Sequence, residues 1–273
     1  MQRRHLLKLI GAASAALLLG HPTHGLAGAG SLFLEDLTWQ EVREAVAAGK
    51  IVALVPTGGT EQNGPHMALG KHNVIVRKLA GDIAAQLGNA LVAPVLPYVP
   101  EGGFDPPEGH MRFPGTMGLS EGDYEAVLRD IATSLASAGF KLIAFLGDHG
   151  ESQAAQTRVA SALTHAWRRR GVHVANLDRY YFANGQEDWL KARGFDAAAI
   201  GKHAGLLDTA ELAALAPDAL RPALMRPRRA EDGSGADGDP SKATADMGAR
   251  LLALKTEAAV AQVRELLSEF PTH

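Results

Sequence analysis

The sequence predicts an α/β fold of three layers, in which helices cover both faces of a mostly parallel central sheet. Four short apolar runs have the length and continuity of strands buried on both faces: Ile51–Val55, Leu91–Leu96, Leu142–Leu146 and Val172–Leu177. Segments of helical periodicity alternate with these runs. Polar clusters directly follow the first three runs, and parallel sheets bind ligands beyond the carboxyl ends of their strands.

The helical segments have recognisable ends. Gly88 and Gly171 each follow such a segment, and glycine is common just past a helix C-terminus. The predicted helices are Trp39–Ala48, Asn73–Leu87, Gly122–Ala138, Ser152–Arg170 and a final one at about Ala243–Phe270. The stretch Arg226–Asp239 is rich in Arg, Gly and Asp, which indicates a surface loop.

The first 27 residues have the organisation of a secretory signal. Arg3 and Arg4 precede an apolar run from Leu9 to Leu19, and small residues near Ala27 offer a cleavage site. The paired arginines followed by Leu-Leu-Lys resemble a twin-arginine signal. The alternative is an uncleaved anchor, but the run is shorter than the ~20 residues that span a bilayer. We therefore expect a periplasmic protein, exported by the twin-arginine route, with one domain over residues 28–273.

Composition limits the partners and the kind of site. The formal net charge of −3 gives no electrostatic reason to expect nucleic acid, or a membrane once the signal is removed. A small-molecule substrate is therefore expected. Cysteine is absent from the sequence, which excludes disulfides and leaves His, Asp, Glu, Asn or water as metal ligands.

Histidine and glutamate are concentrated after the first and third predicted strands. These residues are Glu61, His66, His72, His149 and Glu151. A catalytic zinc site typically uses three protein ligands and keeps one position for water. Taken singly, each histidine is more often a surface or packing residue than a ligand. Their concentration at adjacent strand ends nevertheless predicts a metal site at this edge of the sheet.

Five motifs occur in a fixed order along the chain. They are EQNGPHMAL at Glu61–Leu69 with Lys71-His72 after it, FPGT at Phe113–Thr116, GDHGE at Gly147–Glu151, HAG at His203–Gly205 and GDPS at Gly238–Ser241. In this order they resemble the motifs of the creatininase (creatinine amidohydrolase) family. The resemblance covers about residues 30–265. It implies an α/β amidohydrolase fold and a homo-oligomer, specifically a hexamer.

The resemblance also implies two metal ions bridged by an aspartate, and here the sequence departs from the family. His72 stands at the position of the bridging aspartate, and Asn63 stands where the second metal would take a histidine. A carboxylate can hold two cations, whereas a neutral imidazole offers one lone pair to one metal. Asn63 is also a weak ligand for zinc. We therefore expect one divalent ion per chain, zinc or alternatively manganese, held by Glu61, His72 and His149.

The catalytic roles follow from this ligand set. Glu151 would not be a metal ligand and could act as a general base near the bound water, although Asp148 is an alternative polar partner. His203 matches the family histidine that is implied to protonate the departing nitrogen, and a loop or helix-cap role is the alternative. The residues expected to orient the ligands or contact substrate are Asn63, His66, His110 and Asp148.

The predicted function is hydrolysis of a non-peptide C–N bond by metal-activated water, in a cyclic amide, a formamide or a similar small molecule. Two alternatives remain open at this point. One is a small-molecule-binding protein on the same scaffold whose catalytic site has decayed. The other is a metal-dependent lactonase, which the same water chemistry could serve.

Overall fold

The computed structural model describes residues 30–269, so the predicted signal at residues 1–27 lies outside the described residues. Four parallel strands form one sheet in the order β2-β1-β3-β4. Their bounds are β1 Val52–Thr57, β2 Ala90–Val92, β3 Leu142–Gly147 and β4 His173–Asn176. The parallel direction brings the carboxyl ends of the strands to the same edge of the sheet.

The sheet is covered on both faces, because alternate residues of each strand pack into different clusters. Val52 and Leu54 belong to one core cluster, whereas Ala53 and Val55 belong to the other. All four side chains are fully buried. Strands buried on both faces read as continuous apolar runs, which is why they were recognisable in the sequence. The predicted three-layer α/β fold is confirmed.

Nine α-helices occur within residues 30–269. Their bounds are α1 Trp39–Ala47, α2 Lys71–Leu87, α3 Glu121–Ser137, α4 Gln153–Trp167, α5 Asp178–Tyr181, α6 Gln186–Lys191, α7 Ala197–Ile200, α8 Leu206–Leu215 and α9 Ala245–Glu269. Short 3-10 helices lie at Leu34–Asp36, Gly109–Arg112, Arg168–Arg170, Pro217–Ala219, Pro222–Leu224, Ala230–Asp232 and Pro240–Lys242.

Local sequence explains several helix ends. Thr38 and Glu41 form a capping box at the start of α1, which satisfies backbone N–H groups that have no partner inside the helix. Ser120 accepts a hydrogen bond from the Asp123 N–H at the start of α3. Gly88 ends α2 in the left-handed conformation with φ of 77°.

The second strand is shorter than the apolar run that predicted it. The run Leu91–Leu96 contains Pro94, which has no N–H to donate to the neighbouring strand. Regular pairing ends at Val92, although the N–H groups of Ala93 and Leu96 still donate to the β1 carbonyls of Leu54 and Pro56. The chain then leaves the sheet for a long excursion over residues 97–120.

Helix α9 packs against α8 at unusually short range. A Cβ atom at Gly248 would lie 1.8 Å from the carbonyl oxygen of Ala210, so only glycine permits this approach. The close packing turns Lys255 of α9 inward, where it is buried beneath the end of β3. Within the part of the chain that the structure describes, the helices lack the combination of length and apolarity needed to cross a membrane.

Candidate metal centre

Three loops converge beyond the carboxyl ends of β1, β2 and β3. The first enters through Gly58, where a Cβ atom would lie 2.0 Å from Oδ1 of Asn73 and would force the loop away from α2. Backbone hydrogen bonds connect the loop after β2 to the loop after β1, and they also connect two parts of the loop after β2 to each other. Met117 N–H donates to the Thr60 carbonyl at 2.9 Å, and His110 N–H donates to the Glu101 carbonyl at 3.0 Å. These bonds place Glu61, Glu101 and His110 side by side.

Glu61 is fully buried at the centre of the group, and its two carboxylate oxygens face different neighbours. Its Oε1 atom lies 2.8 Å from Nε2 of His72. Its Oε2 atom lies 3.2 Å from Nε2 of His149 and 3.2 Å from Nε2 of His110. Lys71 contributes a positive charge, with Nζ 3.9 Å from Oε1.

Glu101 is the second buried carboxylate of the site. Its Oε2 atom lies 3.3 Å from Nε2 of His149, yet within residues 30–269 neither of its oxygens has a hydrogen-bond partner. One ligand atom from each of four residues lies within 4.8 Å of the others, and these residues are Glu61, Glu101, His110 and His149. Carboxylate oxygens and imidazole nitrogens are common ligands of divalent zinc.

The two buried carboxylates, Glu61 and Glu101, are balanced by neighbouring positive groups. Burial opposes the ionisation of Glu61, but hydrogen bonds from His149 and His72 outweigh it and hold the pKa of this carboxyl well below its ordinary value. Burial likewise disfavours the charged form of His149, but the neighbouring carboxylates of Glu101 and Glu61 raise its pKa to about 10. A group of this kind attracts a positive charge at its centre, whether a proton or a metal ion.

His72 lies behind Glu61 and connects it to a second buried network. Its Nδ1 atom lies 2.8 Å from Oδ2 of Asp148. The other oxygen of Asp148 accepts hydrogen bonds from Tyr180 Oη at 2.7 Å and from Lys255 Nζ at 2.5 Å. Burial opposes the charge on Asp148, but Lys255 outweighs it and lowers the pKa of the Asp148 carboxyl. The network fixes the orientation of the His72 ring.

His203 also lies beside Glu61, with its ring half-buried. Its Nε2 atom lies 2.9 Å from the carbonyl of Gln62, and because a carbonyl can only accept, Nε2 carries the proton. Nδ1 is therefore the basic nitrogen, and it lies 3.9 Å from Oε1 of Glu61. Burial and the charge of Lys71 lower the pKa of His203 to about 4, so its imidazole is neutral at pH 7. The next residue, Ala204, has a positive φ of 54°.

The structure brings several of the predicted site residues together and separates others. Glu61, His149, His110 and His203 meet at one point, and His72 and Asp148 lie directly behind it. Asn63 is buried, but its amide nitrogen donates to the backbone carbonyls of Glu61, Ala68 and Leu69 and so braces the loop. His66 is buried against Oγ1 of Thr209 at 3.1 Å. Glu151 is exposed at the cavity wall.

Sequence reasoning missed four residues of this region. They are Glu101, Lys71, Tyr180 and Lys255. Glu101 opened the polar cluster predicted after the second strand, so its position was available as a signal, although its role was not assigned. Lys71 is fully buried and bound to Asp208 at 2.8 Å, and lysine in a buried position always requires such a partner. Tyr180 and Lys255 had no signal, since their neighbours are distant in sequence.

The site opens into one cavity of about 800 Å³. The cavity is lined by the loop after β3, by the segment around α5 and α6, and by the chain that leads into α8. Among the lining residues are Glu61, His110, His149, Glu151 and His203, together with Tyr181 and Phe182. A cavity of this size accommodates a small organic molecule.

The sequence model of the creatininase family, described as creatinine amidohydrolase, matches residues 35–263. The chain belongs to the creatininase family. Creatinine amidohydrolase of Pseudomonas putida is 29% identical over 196 residues, which cover 69% of this chain and 73% of that protein. Mycofactocin precursor peptide peptidase of Mycolicibacterium smegmatis is 29% identical over 224 residues, covering 74% and 80% of the two chains.

Solved creatininase structures share the fold. A crystal structure of creatinine amidohydrolase superposes with a TM-score of 0.74 at 23% identity, covering 89% of this chain and all of the other. A creatininase variant of the Zn-Zn type superposes with a TM-score of 0.73 at 24% identity over 88% of this chain and 99% of the other. Family membership makes this protein an amidohydrolase that acts on carbon–nitrogen bonds.

The residues present fit a divalent metal ion. Glu101 is fully buried, and both of its oxygens lack a hydrogen bond within the described chain, which is costly for a carboxylate unless a cation satisfies it. Glu61, beside it, carries a carboxylate of lowered pKa and is ready to ligate. Oxygen and imidazole donors in this combination suit zinc or manganese.

Proposed function

We propose that this creatininase-family protein holds one divalent metal ion per chain, zinc in preference to manganese, and hydrolyses a C–N bond in a small non-peptide molecule such as a cyclic amide or formamide. One observation carries the proposal. The unpartnered carboxylate of Glu101 faces His149, which together with Glu61 lines the inner end of the cavity. The ligands common to the sequence prediction and to this geometry are Glu61 and His149.

The metal ion, when bound, supplies a Lewis acid and lowers the pKa of a water molecule that it coordinates. His203 then moves the proton. At pH 7 its Nδ1 atom is unprotonated, and its ring centroid lies 4.6 Å from that of His110 beside the site, so His203 can accept a proton there. The resulting imidazolium is held by the Gln62 carbonyl and can protonate the departing nitrogen, which is a poor leaving group until it is protonated.

Glu151 is the proposed general base. It lines the same cavity as His203 and is exposed, so its carboxylate keeps the freedom to approach substrate. Asp148 is less suited to this role, because both of its oxygens are occupied by His72, Tyr180 and Lys255. Glu151 can therefore receive one proton of the attacking water, while His203 accepts the other and passes it to the departing nitrogen.

A substrate screen tests the proposal. Zinc-loaded protein, purified without a tag, is incubated with cyclic amides, formamides, lactones and short peptides. We expect hydrolysis of an amide, loss of that activity after chelation, and recovery when zinc is restored. Lactone hydrolysis alone would indicate an esterase, and peptide hydrolysis would place the protein with its mycofactocin-precursor relative. Inactivity of the loaded protein, together with ligand binding that survives chelation, would favour a binding protein.

Two further properties are proposed beside the chemistry. Residues 1–27 export the protein to the periplasm by the twin-arginine route, as their composition predicts. The mature chain assembles as a homo-hexamer, as the family resemblance implies. Multi-angle light scattering on the purified protein measures the mass directly, and a monomer would contradict the hexamer.

A further inference from the structure

We infer that the metal ion is bound by Glu61, Glu101 and His149, and that His72 positions Glu61 instead of binding the metal. The inference rests on the proposed function and specifies its metal centre. It differs at one ligand from the set that the sequence predicted, because Glu101 takes the place of His72. The two sets are chemically distinct, with one imidazole and two carboxylates against two imidazoles and one carboxylate.

The neighbours of Glu61 determine on which side of the carboxylate a cation can bind. Oε1 faces Nε2 of His72 at 2.8 Å and the ammonium of Lys71 at 3.9 Å. A metal ion on this side would be repelled by the buried positive charge of Lys71. Oε2 faces His149 at 3.2 Å and has no lysine or arginine partner in the described chain. The metal ion therefore binds on the Oε2 side.

His72 has no lone pair to offer while its hydrogen bonds are kept. Nε2 bonds to Oε1 of Glu61 and Nδ1 bonds to Oδ2 of Asp148, each at 2.8 Å. Both ring nitrogens of His72 are therefore occupied by carboxylate oxygens. Asp148 is itself held by Lys255. His72 therefore fixes the rotation of the Glu61 carboxylate, and that makes it a positioning residue.

His110 is adjacent to the metal centre, but its hydrogen bonds place a proton on the ring nitrogen that faces this centre. The amide nitrogen of Gln62 lies 2.8 Å from Nδ1 of His110, while the amide oxygen of Gln62 accepts from the Gly64 N–H at 2.9 Å. This arrangement makes Nδ1 the acceptor and leaves the proton on Nε2. His110 therefore directs an N–H group toward Oε2 of Glu61, which lies 3.2 Å from Nε2, and it is not one of the three ligands.

Unlike His72 and His110, Glu101 has coordinating atoms that no hydrogen bond occupies among the described residues. Both of its oxygens are buried without a hydrogen bond among the described residues, and Oε2 lies 3.3 Å from Nε2 of His149. A divalent ion between Glu101, Glu61 and His149 would replace the proton that Nε2 of His149 holds toward the two carboxylates, and it would satisfy all three groups. Three ligands leave a fourth position for water, which catalytic zinc sites require.

Zinc affinity of purified variants tests the assignment. Chelator-stripped protein is titrated with zinc against a competing fluorescent chelator, and folding of each variant is checked by circular dichroism. Glu101→Gln preserves shape and removes the charge, and we expect zinc binding to weaken by more than about 100-fold. His72→Asn should weaken it by about 10-fold, as is typical of a residue that orients a ligand. Glu211→Gln is the matched control, because this buried glutamate contacts Gln186 and Lys255 instead of the centre.

X-ray absorption of the zinc-loaded wild type gives a second reading that is independent of activity and of mutation. Scattering from one imidazole is expected, whereas the alternative set predicts two. Zinc affinity of Glu101→Gln within threefold of the wild type, or two imidazoles in the spectrum, would overturn the assignment while leaving the proposed function intact. Failure of the wild type to bind zinc or manganese at all would instead remove the proposed function.

Discussion

Nζ of Lys255 lies 2.5 Å from Oδ1 of Asp148, so the C-terminal helix is bonded directly to the residue that precedes His149. Both side chains are almost fully buried. A buried ion pair gains little over apolar packing, but removal of one partner leaves the other charge without compensation. The pair therefore links the stability of α9 to the geometry of the metal centre.

Asp148→Asn should destabilise the chelator-stripped protein by about 3–5 kcal/mol, because Lys255 keeps only the more distant Glu211 at 3.6 Å. Urea unfolding measures the change in unfolding free energy. The double variant Asp148→Asn with Lys255→Met should recover part of the loss, since it removes the unpaired charge. A loss below about 1 kcal/mol in the single variant would show that the pair is not effectively buried.

Glu211→Gln should change the pH dependence of stability. Burial raises the pKa of Glu211 to about 7 from its ordinary value of 4.5. Between these values the folded chain retains a proton that the unfolded chain has released, so wild-type stability falls as pH rises. The variant cannot titrate, and its unfolding free energy relative to the wild type should therefore increase from pH 5 to pH 8. Urea unfolding at four pH values measures this, with exposed Glu44→Gln as the control.

His203→Asn should lower kcat by about 10²–10⁴-fold on any amide that the wild type hydrolyses, since the protonation of the leaving nitrogen is lost. Zinc content should remain unchanged, because His203 is not a proposed ligand. Steady-state kinetics and metal analysis are the two measurements. His165→Asn, an exposed histidine on α4, is the matched control. A kcat within threefold of the wild type would exclude His203 as the proton donor.

Removal of the metal ion should destabilise the fold. A ligand that binds only the native state contributes about 2.7 kcal/mol when its free concentration is 100 times Kd. We expect the Tm to fall on addition of chelator and to recover with zinc. Glu61 is a ligand in both of the ligand sets considered above, so the Tm of Glu61→Gln should respond little to zinc. An equal zinc response in the variant and the wild type would place the bound ion elsewhere.

Export can be tested through the paired arginines. Replacement of both Arg3 and Arg4 by lysine should retain the protein in the cytoplasm of a bacterium that has the twin-arginine route, because the signal is read through these side chains. Immunoblotting of periplasmic and cytoplasmic fractions measures the distribution. Arg168→Lys with Arg169→Lys changes the same residue type far from the N-terminus and should leave export intact.

The parts of the fold that follow local rules were predictable from the sequence. Val52–Thr57 and Leu142–Gly147 are continuous apolar runs because both of their faces are covered, and Gly88 terminates α2 as expected. The second strand was overestimated, because Pro94 interrupts its pairing with β1 after only three residues. An apolar run does not show which of its N–H groups must pair, because that depends on the position of the neighbouring strand.

The candidate site was predictable only where a strand delivers the residue. Glu61 and His149 follow β1 and β3 closely, so their meeting could be anticipated from the parallel topology. The part played by Glu101 depends on the excursion after β2 folding back, with the His110 N–H bonded to the Glu101 carbonyl. Lys255 approaches Asp148 from the last helix. Neither relationship leaves a periodic or spacing signal in the sequence.

The long excursion between β2 and α3 carries both Glu101 and His110, one facing the buried centre and the other facing the cavity. Any insertion or deletion in this stretch would alter the coordination of the ion and the shape presented to substrate in a single event. Related chains that differ here should therefore diverge in metal preference and substrate preference together, while the scaffold of strands remains unchanged.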